Sequence, residues 1–159
     1  KDIAGRMVLK PFQDNEKLKG FEVGVSGYHR PAHGNTLAKK RLGFESRYEY
    51  KKLSIKGEYM SGQGTAASTS TTENRTLANG WYGQLGYYFS SKLQGVLKYE
   101  QYDPNEEAAN DKVAESTAGL NYFIEKYNAK LQLNYIHKDA QKAREVNNDQ
   151  VIGAIQVAF

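Results

Sequence analysis

The chain has 159 residues, a net charge of +4, a pI near 9.1 and a mean hydropathy of -0.74, and it contains no cysteine. This length allows one domain with a sizeable core. The lack of cysteine excludes a disulfide framework and a thiolate metal site. No run of about 18 apolar residues is present, which excludes a transmembrane helix. The basic balance favours anionic partners without choosing among small anions, lipopolysaccharide phosphates and nucleic acid.

The residue pattern predicts strands. Polar and apolar residues alternate with a period of two along almost the whole chain, and segments with a helical period are missing. Most alternating segments have about the 9–11 residues that a strand needs to cross a bilayer at a tilt. The nine predicted strands cover residues 3–11, 18–28, 40–50, 53–61, 80–89, 92–102, 113–124, 128–138 and 149–159.

The alternation separates an apolar set of side chains from a polar set. A soluble barrel or sandwich would bury the apolar set, whereas a membrane barrel would turn it toward lipid, so alternation alone leaves both interpretations open. The apolar set comprises Phe21, Val23, Val25, Leu42, Phe44, Tyr48, Tyr50, Leu53, Ile55, Tyr59, Trp81, Leu85, Tyr87, Phe89, Leu93, Leu97, Tyr99, Leu120, Tyr122, Ile124, Leu131, Leu133, Tyr135, Ile155, Val157 and Phe159.

The connections between strands favour the membrane interpretation. Short and long connections alternate, as periplasmic turns and outer loops do in an outer-membrane barrel. The short turns lie near 51–52, 90–91 and 125–127, and the long polar loops near 29–39, 62–79, 103–112 and 139–148.

Aromatic residues give a second argument for a membrane barrel. The last segment alternates to its end and finishes on an aromatic residue, as the closing strand of such a barrel does. Parity and strand direction then place aromatic side chains of the lipid-facing set in two girdles. The lower girdle is Tyr50, Phe89, Tyr122 and Phe159, and the upper girdle is Tyr59, Trp81, Tyr99 and Tyr135.

The second half of the chain contains five distinctive runs: GQLGYYF at 83–89, LKYEQYDPN at 97–105, AGLNYF at 118–123, KLQLNYIH at 130–137 and IQVAF at 155–159. In their order and spacing, these runs resemble the C-terminal part of the phosphate-selective porin O/P family. Two upstream runs are similar more weakly, GRMV at 5–8 and LKGFEVG at 18–24.

The resemblance implies an up-and-down antiparallel β-barrel in the outer membrane of a Gram-negative bacterium. It implies a passive diffusion pore, often trimeric, that passes anions such as phosphate. The expected partners are lipopolysaccharide, small anions and, through the C-terminal strand, the barrel-assembly machinery, with no nucleic acid and no cofactor. Family members are much longer, and the loop and arginine ladder that select phosphate lie largely outside the matching part. No phosphate-binding residue is therefore carried over.

The candidate pore-lining residues are the charged members of the polar set. They can attract anions into a wide lumen, or they can form a lattice of salt bridges in a narrow one. The basic candidates are Arg6, Arg41, Arg47, Lys56, Lys98, Lys130 and Lys138, and the acidic candidates are Glu45, Glu49, Glu58 and Glu100.

Residues 1–159 are predicted to form a single domain. The number of strands allows more than one architecture for it. Nine strands cannot close a barrel with both termini on one side. Residues 1–12 can belong to a strand pair whose partner is missing, as in a piece of a longer porin. Alternatively, 18–159 form a closed barrel of eight strands and 1–17 are an edge strand or N-terminal extension. Eight strands leave an interior just filled by side chains, which suits an anchoring or loop-mediated binding role. A third hypothesis is a soluble lipocalin-like binder with Tyr50 and Phe89 facing inward.

The sequence predicts neither an enzyme nor a metal site. His29 and His33 lie four residues apart but flank turn residues. Ser, His and Asp residues occur without any motif that would order a triad. The acidic segment 103–111 lacks the spacing of a calcium loop and is predicted to be a solvated loop.

Overall fold

The computed structural model describes residues 1–32, 38–65, 75–125, 128–140 and 149–157. These residues form one antiparallel sheet of nine strands in sequence order, so the all-β up-and-down prediction is confirmed. In the described ranges, no helix is long and apolar enough to span a membrane. The strands are β1 (Ile3–Leu9), β2 (Phe21–Arg30), β3 (Lys39–Tyr50), β4 (Leu53–Thr65), β5 (Arg75–Tyr88), β6 (Leu93–Asp103), β7 (Val113–Glu125), β8 (Ala129–Ala140) and β9 (Gln150–Val157).

The largest difference from the predicted strands lies in the β4–β5 hairpin. Residues 62–65 and 75–79 were predicted as loop, but they continue the two strands. Gln63 pairs with Leu77, and Thr65 pairs with Arg75. Backbone pairing extends the hairpin here although the polar and small residues give no alternating signal, because ladder hydrogen bonds do not depend on side-chain polarity.

The two faces of the sheet differ in polarity and exposure. Side chains of the apolar set remain exposed: Leu97 is 59% exposed and Ile155 is 76% exposed. In the described part of the chain, Phe123 is the one buried apolar side chain. The opposite, polar face is less exposed overall, and we infer from this that the sheet curves toward it. We therefore call the polar face concave and the apolar face convex; the described residues form no apolar core.

The lower end of the sheet, as we define it, is the end at which Tyr50 and Leu53 flank a two-residue turn. The turn residue Lys51 has a φ of 52°, as tight hairpin turns require. The connection from β1 to β2 also lies at this end, and it is longer than the other lower connections. It is anchored where the Gly20 carbonyl accepts a hydrogen bond from the Glu49 amide at 3.1 Å.

Neighbouring strands are staggered along the sheet. Following directly opposite residues from Tyr50 at the lower end of β3, the row passes through Leu53 and reaches Leu133 on β8. Leu133 lies well above Ala129, the first residue of β8. A row of directly opposite residues therefore lies further from the lower strand end on β8 than on β3. Such a stagger is typical of sheets that close into barrels. β1 and β9 are the two edges and run in the same direction.

Candidate functional site: charged rows on the concave face

Four glutamates form a row across the concave face. Glu45 on β3 lies directly opposite Glu58 on β4, and Glu100 on β6 lies directly opposite Glu115 on β7. Tyr82 on β5 joins the two pairs, because it is opposite both Glu58 and Glu100. Like charges at directly opposite positions destabilise a sheet. We call Glu45, Glu58, Glu100 and Glu115 the acidic row.

Three basic residues form a second row beside the acidic one. Arg47 lies opposite Lys56, and Gln84 on β5 lies opposite both Lys56 and Lys98. On β3, β4 and β6 the basic residue is two positions below the glutamate, so the rows are about 7 Å apart along each strand. We call Arg47, Lys56 and Lys98 the basic row. Each row ends on an opposite charge, because Glu22 lies opposite Arg47 and Lys138 lies opposite Glu115.

Ion pairs connect many of these charges to neighbours. The side chains remain partly exposed, and exposed pairs contribute little stability. On the concave strands, these pairs are Arg6–Glu45 at 2.6 Å, Lys138–Glu115 at 2.9 Å, Arg47–Glu49 and Lys98–Glu100, and Lys10–Glu22 at 2.7 Å lies beside them. Within the part of the chain that the structure describes, Lys56 and Glu58 have no ion-pair partner.

A glycine allows one of these pairs to bridge three strands. Arg6 lies on β1 and Glu45 on β3, with β2 between them. Gly24 occupies the position on β2 opposite Glu45. A Cβ at Gly24 would lie 2.3 Å from the Glu45 Oε1, so any other residue would displace this carboxylate. The glycine therefore sets the reach of Glu45 across the concave face.

The predicted charged residues share one face, but they do not all join the two rows. Arg41 lies opposite Tyr28, and its guanidinium carbon is 5.8 Å from the centre of that ring. Lys130 lies near the lower end opposite Phe123. The residues outside the rows are Arg6, Arg41, Lys130, Lys138 and Glu49.

The sequence interpretation did not include Glu115, which completes the acidic row. Parity along β7 was the available signal, because Glu115 and Asn121 are an even number of residues apart. The interpretation also did not find the amide ladder near the lower end. There, Asn121 donates to Gln94 at 3.0 Å and Gln132 donates to Asn121 at 2.8 Å. Along β6–β8, the lower part of the face therefore holds these amides beside Lys130 and the buried Phe123.

Predicted girdle residues lie on the convex face, with contacts between some of them. The Trp81 and Tyr99 rings are 5.4 Å apart, and Phe89 packs against Tyr87 at 5.6 Å. β4 and β5 continue well beyond Tyr59 and Trp81 toward the upper end. The predicted upper girdle thus lies below the upper strand ends. Phe159 lies outside the described residues, and the depth of these rings in a membrane stays a prediction.

The convex face carries a hydrogen-bonded cluster that the sequence did not indicate. Asp149, just before β9, accepts a hydrogen bond from the Tyr135 hydroxyl at 2.6 Å and contacts His137 Nδ1 at 2.7 Å. These two hydrogen bonds, the Tyr135 one first, hold the pKa of Asp149 below its usual value near 3.8. Ser116 lies opposite His137 on the neighbouring strand. His33 lies outside the described residues.

The acidic segment after β6 differs from the predicted solvated loop. Asp103 is only 5% exposed and pairs with Lys112 at 3.4 Å. It also accepts a hydrogen bond from the Asn105 amide at 3.1 Å. The Glu106 amide donates to the Leu77 carbonyl at 2.9 Å. The prediction of a solvated loop is wrong for Asp103, which is buried at the end of β6 and acts as a structural acceptor. Glu106 and Glu107 are exposed.

A polar concave face and an exposed apolar convex face on one antiparallel sheet define the class of outer-membrane β-barrel proteins. The family model described as "Phosphate-selective porin O and P" matches residues 27–159. The chain therefore belongs to the phosphate-selective porin O and P family, as its sequence runs indicated. The weaker upstream runs at 5–8 and 18–24 lie outside the matched residues. No curated protein and no solved structure matches the chain.

Proposed function

We propose that the protein is an outer-membrane porin through which small solutes diffuse passively, with a mild preference for anions. The observation that carries the proposal is the contrast between the two faces. The apolar face is exposed over its whole width, and the opposite face holds charged rows. Water in a lumen solvates such rows, and lipid covers the apolar face.

The expected preference for anions rests on the balance of charge along the concave face. Basic residues outnumber acidic ones on the described strands of that face, and a wall with excess positive charge concentrates anions. The preference is mild because glutamates lie between the basic residues. The proposed basic lining is Arg6, Arg30, Lys39, Arg41, Arg47, Lys56, Lys98, Lys130 and Lys138.

An alternative function is a side-chain-filled barrel with an anchoring role, which the ion pairs on the concave face favour. A structural lattice should place opposite charges at opposite positions, because those pairs stabilise a sheet. Opposite charges do face each other at Glu22–Arg47 and Glu115–Lys138. The centre of the face, however, opposes like charges, because Glu45 faces Glu58 and Arg47 faces Lys56. Arrangements that oppose local stability are typical of functional sites, so we prefer the channel.

Single-channel recording tests the proposal. The protein is extracted from outer membranes in detergent and added to a planar bilayer with a salt gradient across it. We expect discrete current steps and a reversal potential shifted toward that of the anion. Insertion without conductance, checked by protease protection of the inserted protein, would contradict the channel and support the anchoring barrel.

A further inference from the structure

The β4–β5 part of the concave face offers one acid and one base that are both available to a solute. Lys56 and Glu58 lie two residues apart on β4 and point to the same face. Among the residues that the structure describes, neither takes part in an ion pair. By contrast, Lys98 and Glu100, spaced in the same way on β6, pair with each other. A solute can therefore contact Lys56 and Glu58 without breaking an existing salt bridge.

The neighbouring strand supplies polar groups beside each of these charges. Tyr82 lies opposite Glu58, and both residues line the same groove. Gln84 lies opposite Lys56 and presents an amide. The ammonium of Lys98 lies 5.1 Å from the centre of the Tyr82 ring. This patch thus has a negative end next to a phenol and a positive end next to an amide.

The space beside the patch accommodates a small solute. A groove of about 640 Å³ lies along the upper concave face, and Glu58, Tyr82, Glu100 and Glu115 are among its lining residues. Small residues at Gly62, Ala78 and Gly80 also line it. The basic row lies just below the groove. Arg41 also lines this groove, above the acidic row. Along β4, the basic row lies about 7 Å below the acidic row.

We infer that the rows favour small zwitterions, solutes that carry an ammonium and a carboxylate a few ångströms apart, and that Lys56 and Glu58 contribute most. The ammonium would lie at Glu58 and the carboxylate at Lys56. Each contact is a solvent-exposed charge pair, so each contributes only a modest interaction free energy. The two contributions add only when the solute contacts Glu58 and Lys56 at the same time. This inference rests on the proposed diffusion channel, whose substrate class it narrows.

Liposome swelling measures the preference directly. The protein is reconstituted into liposomes, and influx rates are compared for ω-amino acids of increasing length and for neutral polyols of matching size. We expect the longer ω-amino acids, whose charges span about 5–7 Å, to enter about 3- to 10-fold faster than their matched polyols. The advantage should fall toward unity in Glu58→Gln and in Lys56→Gln.

Two further variants serve as controls. Lys92→Gln removes a basic residue from the short turn between β5 and β6, outside the proposed lining, and it should leave the zwitterion advantage unchanged. The double variant Lys56→Glu/Glu58→Lys keeps composition and net charge, but it places opposite charges across from Glu45 and Arg47. It should fold at least as stably as the natural protein. It should lose the advantage, because the new pairs neutralise each other.

The outcomes separate this inference from the channel on which it rests. Entry of polyols with no advantage for zwitterions would overturn the inference and leave the channel intact. An equal slowing of all solutes in Lys56→Glu/Glu58→Lys would also overturn it, because that result indicates an altered pore width. If neither solute class enters, the channel and the inference both fail.

Discussion

At the scale of single residues, Gly20 lies so close to the backbone of β3 that a side chain would force the backbone to move. A Cβ at this position would lie 1.9 Å from the Glu49 carbonyl oxygen, which is backbone and cannot rotate away. The same contact region contains the hydrogen bond that anchors the β1–β2 connection. Crowding of this kind in a packed region costs about 1–3 kcal/mol.

We therefore expect Gly20→Ala to lower the free energy of unfolding by about 1–3 kcal/mol. Urea unfolding in detergent, followed by the fluorescence of the single tryptophan, measures the change. The matched control is Gly27→Ala on β2, because nothing lies within 4 Å of a Cβ there. Equal effects of the two substitutions would contradict the close approach at Gly20.

Asp149 connects the start of β9 to β8, and its lowered pKa makes that connection depend on pH. A carboxyl whose pKa is lowered on folding stabilises the native state above its unfolded pKa, near 3.8. That stabilisation is lost as the pH falls through the lower folded value.

For the unfolding midpoint in urea, we expect a difference between the natural protein and Asp149→Asn at pH 5 that shrinks below pH 3.8. Unfolding series at pH values from 5 down to 2.5 provide the measurement. Tyr135→Phe, which removes the first hydrogen-bond donor, should reduce the same pH dependence. A difference that stays constant across the series would mean that Asp149 does not titrate in its hydrogen-bonded position.

At the scale of the strand, successive side chains point alternately to the convex and the concave face. On β8, Leu133 points to the apolar convex face and Ile136 points to the concave face. An arginine on the lipid face of a barrel costs about 2–4 kcal/mol near the bilayer midplane. In a water-filled lumen, the same charge keeps its hydration.

Leu133→Arg should therefore reduce the free energy of unfolding in lipid by about 2–4 kcal/mol, and Ile136→Arg should reduce it much less. Both variants replace an aliphatic residue of the same strand with arginine. Urea unfolding in phospholipid vesicles gives the two values. A larger loss for Ile136→Arg would reverse the assignment of the faces and favour the soluble lipocalin-like interpretation.

Strand parity also explains how far the sequence could predict this structure. The pleat alternates strictly, so the faces of Phe44, Lys56 and Leu133 followed from the chain alone. Register is set between strands, and a short turn fixes it only locally. The two-residue turn at Lys51 places Tyr50 opposite Leu53, and counting back along both strands puts Glu45 opposite Glu58. The pairing of Glu58 with Tyr82 spans the long β4–β5 connection, so no local pattern indicates it.

At the scale of the whole molecule, the fold is one antiparallel sheet whose nine strands are joined by backbone hydrogen bonds. One buried apolar residue in the described chain is far too little for a soluble domain of this size. Composition could not indicate which face would meet lipid; the connection lengths, the aromatic pattern and the family resemblance favoured the apolar one. A mean hydropathy of -0.74 looked hydrophilic because only alternate strand residues are apolar.

The stagger between strands has a consequence for the electric field inside a lumen. Glu45, Glu58 and Lys98 lie at the same number of residues above the lower strand ends Tyr50, Leu53 and Leu93. At this one height, β3 and β4 are therefore negative and β6 is positive. The charged rows therefore run obliquely to the strand ends instead of forming level rings. In a lumen, the resulting electric field would have a component perpendicular to the pore axis. A dipolar solute would change its orientation as it moves along the rows.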